Sequence, residues 1–133
     1  MNDQFPLRGL RVLVVEDVFL IAMDLSDQLM ESGCEVIGPA SSVKQALEKI
    51  DSVPLDGAVL DVNLAGEQSF PIAELLASRG IPFLFLTGYD SVTIIPEAFK
   101  QIPKLSKPVS EKALTSAVAQ FQDKEAESPR GRL

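Results

Sequence analysis

The sequence predicts an α/β fold around one mainly parallel sheet. Short apolar runs alternate with longer segments of helical periodicity, the pattern left by successive βα units. With 133 residues, 46% of them hydrophobic, the chain fits one domain with a core of its own.

The first apolar run is Val12 to Val15, and behind it Val18, Ile21, Ala22, Leu25 and Leu29 recur at helical spacing. Gly33 follows as a residue able to take the left-handed conformation that ends a helix. A short second strand is expected over Glu35 to Gly38. Ser42 then caps a second helix reaching about Asp51, with Gln45 folding back as in a capping box. Gly57 to Leu60, ending in Asp61, reads as the third strand. Phe70 to Ser78 reads as the third helix, with Pro71 tolerated in its first turn and Gly80 just past its end. The continuous run Phe83 to Leu86 suits a fourth strand buried on both faces.

Asp90 to Gln101 predicts only a short or irregular fourth helix, because Pro96 interrupts it and Thr93, Ile94 and Ile95 are β-branched. A brief fifth strand fits Pro103 to Ser106. Ser110 then caps a last helix with Leu114, Ala117, Val118 and Phe121 on one face. Residues 1–9 read as an N-terminal extension, 10–122 as the domain, and 123–133, charged and carrying Pro129 and Gly131, as a disordered tail.

Composition narrows the function. A net charge of -7 disfavours binding to nucleic acid or anionic membrane. One cysteine, Cys34, allows no internal disulfide and reads as a small buried apolar residue. No run is long enough to span a bilayer and no signal peptide is evident, so a cytoplasmic location is expected. The absence of histidine removes the commonest general base and the usual zinc ligand, and any phosphohistidine must belong to another molecule.

In open α/β sheets, ligands bind outside the carboxyl ends of the strands. Here strand one ends in Glu16 and Asp17, strand three in Asp61 and strand four in Thr87, while strand five leads into Lys107. In a parallel sheet these residues share one rim. Clustered carboxylates repel one another unless they protonate, recruit a cation or stay apart through water. Oxygen donors without His or Cys favour Mg²⁺. Such an ion would offset the repulsion between an attacking carboxylate and an incoming phosphoryl group, with Lys107 adding a positive charge and Thr87 a hydroxyl donor. Taken singly, each residue reads as a helix cap, a strand-end polar group or a solvated charge. Together they supply an acidic pair, an acceptor, a hydroxyl and a cation in one order.

That order resembles the receiver domain of bacterial two-component response regulators (CheY-like), and the match spans Leu10 to Phe121. The resemblance implies a single doubly wound (βα)5 flavodoxin-like fold with a five-stranded parallel sheet of order 2-1-3-4-5. It implies Asp61 as phosphoacceptor, Asp17 as a Mg²⁺ ligand, Glu16 acting directly or through water, and the Asn63 carbonyl as a further metal ligand. Thr87 and Lys107 would contact the phosphoryl group, and Lys107-Pro108 would be a cis peptide. It also implies a sensor histidine kinase or phosphotransfer protein as donor. A downstream protein would bind around helix four, strand five and helix five. The expected product is a stand-alone monomer or weak homodimer that signals through protein contacts or acts as a phosphate sink, and not an enzyme.

Two departures stand out. Receivers usually carry Tyr or Phe three residues before the Lys, where this chain has Lys104. Phe85-Leu86-Thr87-Gly88-Tyr89 instead resembles the Phe-Ala-Thr-Gly-Tyr (FAT GUY) receiver subfamily, so Tyr89 and residues 90–101 are expected to carry the conformational change. The alternatives are a haloacid-dehalogenase-like phosphohydrolase, disfavoured because Asn63 stands where its acid/base Asp is required, and a pseudo-receiver that binds proteins without phosphorylation.

Overall fold

A computed structural model describes residues 5–88 and 94–123. In chain order it has β1 (Arg11–Val15), α1 (Phe19–Glu31), β2 (Glu35–Ala40), α2 (Val43–Ser52) and β3 (Gly57–Asp61). A hairpin of two-residue strands follows, β4 (Asn63–Leu64) and β5 (Glu67–Gln68), then α3 (Phe70–Ser78) and β6 (Phe83–Thr87). A 3₁₀ turn (Glu97–Phe99), β7 (Lys104–Ser106) and α4 (Glu111–Ala119), prolonged by a 3₁₀ turn (Gln120–Asp123), complete it.

Five strands form one sheet of order β2-β1-β3-β6-β7 with every pairing parallel. Setting aside the β4–β5 hairpin, this is the expected 2-1-3-4-5 order. Successive residues of a strand face opposite sides of a sheet, and the central strands are apolar on both. Leu13, Val15, Ala58, Leu60, Phe83 and Phe85 pack with Ala46, Ile50, Ile72 and Leu76 of α2 and α3. Val12, Val14, Val59, Leu84 and Leu86 pack with Leu25, Leu29, Leu114 and Val118 of α1 and α4. The helices therefore cover both faces, and all five strands point their carboxyl ends at one rim.

Local details refine the sequence reading. β2 runs past Gly38 to Ala40, with Gly38 at φ 97° and a cis Gly38-Pro39 bond. It is an edge strand, where proline costs no central ladder bond. Ser42 caps α2 by accepting from the Gln45 N–H, but the Gln45 side chain accepts from the Ser41 N–H, one residue short of the reciprocal capping box. Leu7, ahead of the first strand, is fully buried and donates its N–H to Ser32 O at 2.8 Å. Within the expected fourth helix the described residues hold 3₁₀ geometry at Ile94 and in the turn after Pro96. Tyr89 and residues 90–93 lie outside the described residues, as does the tail beyond Asp123.

Gly57 opens β3 directly under the Phe121 ring, where a Cβ would overlap the ring carbons. Gly57→Ala is expected to lower stability by about 1–3 kcal/mol through overpacking. Urea denaturation should show this cost shrinking in the background of Phe121→Leu, because the two positions share one contact.

Candidate functional site

Each site residue stands where a strand gives way to a loop. β1 releases Glu16 and Asp17, β3 ends in Asp61, β6 ends in Thr87, and Lys107 follows β7. The pairings β1–β3, β3–β6 and β6–β7 are in close register, so these strand ends lie side by side. Residues up to 91 positions apart in sequence thereby meet.

Lys107 Nζ donates to Asp61 Oδ2 at 2.8 Å and lies 3.0 Å from Glu16 Oε1. The second contact is an ion pair without aligned hydrogen-bond geometry, since Glu16 Oε1 has no hydrogen-bond partner. Glu16 Oε2 accepts from the Val18 N–H at 3.1 Å, fixing the carboxylate against the start of α1. Asp61 Oδ1 receives a long bond, 3.4 Å, from the Asn63 N–H. Thr87 is buried, and its hydroxyl donates to Leu105 O at 3.5 Å. The Lys107-Pro108 bond is cis.

Glu16 and Asp61 are buried and Asp17 partly so, and carboxylate oxygens of the three lie within 4.8 Å of one another. Burial pushes the Glu16 carboxyl up to about 7; the Lys107 ammonium and the Val18 N–H draw it down, and the Asp61 carboxylate adds to the rise. For Lys107, burial acts to lower the ammonium's value, but the hydrogen bonds and charges of Asp61 and Glu16 outweigh it and leave it raised. Three clustered carboxylates, two of them buried, share the Lys107 ammonium, which leaves an unmet electrostatic demand. A hard cation satisfies it, and an all-oxygen set of three carboxylates suits Mg²⁺.

The β4–β5 hairpin after Asp61 was not legible in the sequence. Its turn places Ala65 at φ 51° and Gly66 at φ 89°, a turn with two left-handed residues, and Ala-Gly is a weaker signal for it than Asn-Gly. Asn63 Oδ1 accepts from the Gly66 N–H, and Glu67 Oε1 accepts from the Val43 N–H at the start of α2. The first bond closes the hairpin on itself, and the second ties it to α2.

The family model described as response regulator receiver domain matches residues 12–119, which include every one of these side chains. The chain belongs to the response regulator receiver domain family. The receiver is 33% identical over 89 residues to the transcriptional regulatory protein PdtaR of Mycobacterium tuberculosis, covering 66% of this chain and 43% of that protein. It spans about half the length or less of such curated relatives, 43% of PdtaR and 48% of LytT from Bacillus subtilis. Against SdrG from Sphingomonas melonis Fr1 the TM-score is 0.69 and identity 37%, covering 85% of this chain and 96% of that one. PhyR from Brucella abortus shares the fold at a TM-score of 0.78 with 23% identity, over 95% of this chain and 54% of that one. The receiver is therefore a two-component signalling domain. Among its described residues no helix is long and apolar enough to cross a membrane.

In the metal-free receiver, Glu16 has a higher value folded, about 7, than its ordinary 4.5, so the fold favours the protonated acid. Its contribution to stability is full below about 4.5 and is lost as pH rises through about 7. Urea midpoints from pH 4.5 to 8 should therefore fall more steeply for wild type than for Glu16→Gln, in which the group no longer titrates. Parallel curves for the two proteins would contradict this account of Glu16.

Proposed function

We propose that this receiver accepts a phosphoryl group on Asp61, with Mg²⁺ held by Asp17, Asp61 and the Asn63 carbonyl, and with Glu16 acting directly or through water. The observation that carries the reading is the convergence of one ammonium, Lys107, and three carboxylates at the end of β3. A lone acidic pocket repels an anion; a pocket holding a divalent cation and an ammonium attracts one.

In the proposed step, an Asp61 carboxylate oxygen forms the new P–O bond while the P–N bond of a donor phosphohistidine, protonated on its other ring nitrogen, breaks, its electron pair leaving with the neutral imidazole. The Lys107 ammonium, 2.8 Å from Asp61, shifts onto a phosphoryl oxygen, and the Thr87 hydroxyl turns from Leu105 O to another. Mg²⁺ held by Asp17, Asp61 and the Asn63 carbonyl would supply the charge neutralisation that the transfer requires. Positioning and charge, not proton abstraction, are what this transfer requires, which is consistent with a chain that has no histidine.

The donor is a sensor histidine kinase or a histidine phosphotransfer protein in the cytoplasm. It must cover the rim, where Phe19 and Leu20 of α1 are 71% and 77% exposed. Output passes to a protein partner over the 3₁₀ turn, β7 and α4, the face corresponding to the family's helix four, strand five and helix five, or consists of drawing phosphoryl groups from other receivers. The receiver acts as a monomer or weak homodimer and is not a turnover enzyme. The Phe85-Leu86-Thr87-Gly88 sequence supports membership of the Phe-Ala-Thr-Gly-Tyr subfamily.

Intact mass spectrometry after incubation with acetyl phosphate and Mg²⁺ should show one phosphoryl adduct, absent in Asp61→Asn. Lys107→Ala should lower the rate of adduct formation by about 10²-fold, the usual scale for removing one preorganised donor to a developing anion. An adduct that survives Asp61→Asn, or no adduct in wild type, would overturn the assignment; the second result would favour a binding module that works without phosphorylation.

A further inference from the structure

We propose that Lys104 is a positioning residue for the phosphorylation response: its ammonium clamps the chain before β7 in the unphosphorylated arrangement, and phosphorylation of Asp61 acts against that clamp. The proposal rests on Asp61 being the acceptor.

Lys104 is the first residue of β7 and pairs with Phe85 of β6. Its Nζ donates to Lys100 O at 2.9 Å and to Ile102 O at 2.7 Å. Those carbonyls lie at the C-terminal end of the 3₁₀ turn Glu97–Phe99 and just beyond it, where main-chain oxygens run out of helical partners. A cation is the natural cap there, and hydrogen bonds from a charged donor are the stronger kind. The side chain thus folds back over four residues and fastens the turn to the strand.

Two routes lead from the site to this clamp. On one, Thr87 Oγ1 donates to Leu105 O at the long distance of 3.5 Å, and the Lys107 N–H donates to Thr87 O at 3.0 Å. When the Thr87 hydroxyl turns to a phosphoryl oxygen, Leu105, the neighbour of Lys104, loses that donor. β7 is a three-residue edge strand, so it has few ladder bonds with which to resist the change. On the other, the Ser69 N–H bonds to Val62 O, beside Asp61, and the next residue, Phe70, stacks on Phe99 with ring centroids 6.3 Å apart. Phe99 also meets Phe83 and Phe85 edge-on. Both routes end on the stretch 97–105, which Lys104 ties together. With a lysine at this position β7 offers no ring to follow Thr87 inward, and the hydrogen-bonded clamp takes that part in the coupling.

The test is a set of ¹H–¹⁵N spectra with and without beryllofluoride and Mg²⁺. In Lys104→Met, which keeps the stem and loses the donors, amides of residues 94–102 should already be displaced toward their positions in beryllofluoride-bound wild type. This variant should bind beryllofluoride roughly fivefold more tightly than wild type, because binding no longer works against the clamp. Lys104→Arg should behave as wild type. If Lys104→Met fails to fold, Lys104→Gln, a neutral donor, should give the same displacement in smaller measure. Wild-type uptake of beryllofluoride with shifts in the methionine variant confined to residues next to 104, or with unchanged affinity, would overturn this proposal alone. A wild type that takes up no beryllofluoride would overturn it together with the acceptor reading.

Discussion

One ion-pair constraint organises the receiver: the Lys107 ammonium stands 2.8 Å from Asp61 and 3.0 Å from Glu16 and offsets part of the cost of burying two carboxylates side by side. The constraint reaches into the backbone. Lys107 is held by its own N–H to Thr87 O, and Glu16 by the Val18 N–H at the start of α1. Neutralisation is nonetheless incomplete, since one ammonium faces three carboxylates and Glu16 Oε1 keeps no hydrogen-bond donor. That remaining demand suits a divalent cation, which would in turn make the pocket receptive to an anion.

The fold exists at this rim because its strands are apolar on both sides. β3 and β6 are buried at every position, and their carboxyl ends bring Asp61 and Thr87 to the rim. Buried sheets of this kind are rigid, so Asp61 and Thr87 are placed by packing and need no loop ordering. The adjustable parts are the β4–β5 hairpin and the stretch around β7. Both are short, and each is held by one leucine packed on the core, Leu64 or Leu105, together with a few specific hydrogen bonds.

Much of this was legible in the sequence because burial leaves a period. Phe83 to Leu86 suited a strand buried on both faces, and Phe70 to Ser78 carried its own limits in Pro71 and Gly80. The strand order and the roles at the rim came from resemblance, since periodicity cannot say which strands are neighbours. What stayed hidden were contacts set by tertiary geometry. Leu7 lies ahead of any periodic segment, yet it is buried against the end of α1. The second strand was expected to end at Gly38, but an edge position tolerates Pro39 and β2 runs on to Ala40. Lys104 read only as a missing aromatic ring; its bonds to Lys100 O and Ile102 O depend on a turn that β-branched residues and Pro96 had obscured.

The claim on which all of this turns is that neutralisation by a divalent ion together with Lys107 makes the acidic rim accept a phosphoryl-like anion at Asp61. Fluorine NMR of beryllofluoride measures this most directly. The account predicts bound ¹⁹F resonances that require Mg²⁺ and vanish in Asp61→Asn. Bound resonances without any divalent ion, or unchanged in Asp61→Asn, would contradict it.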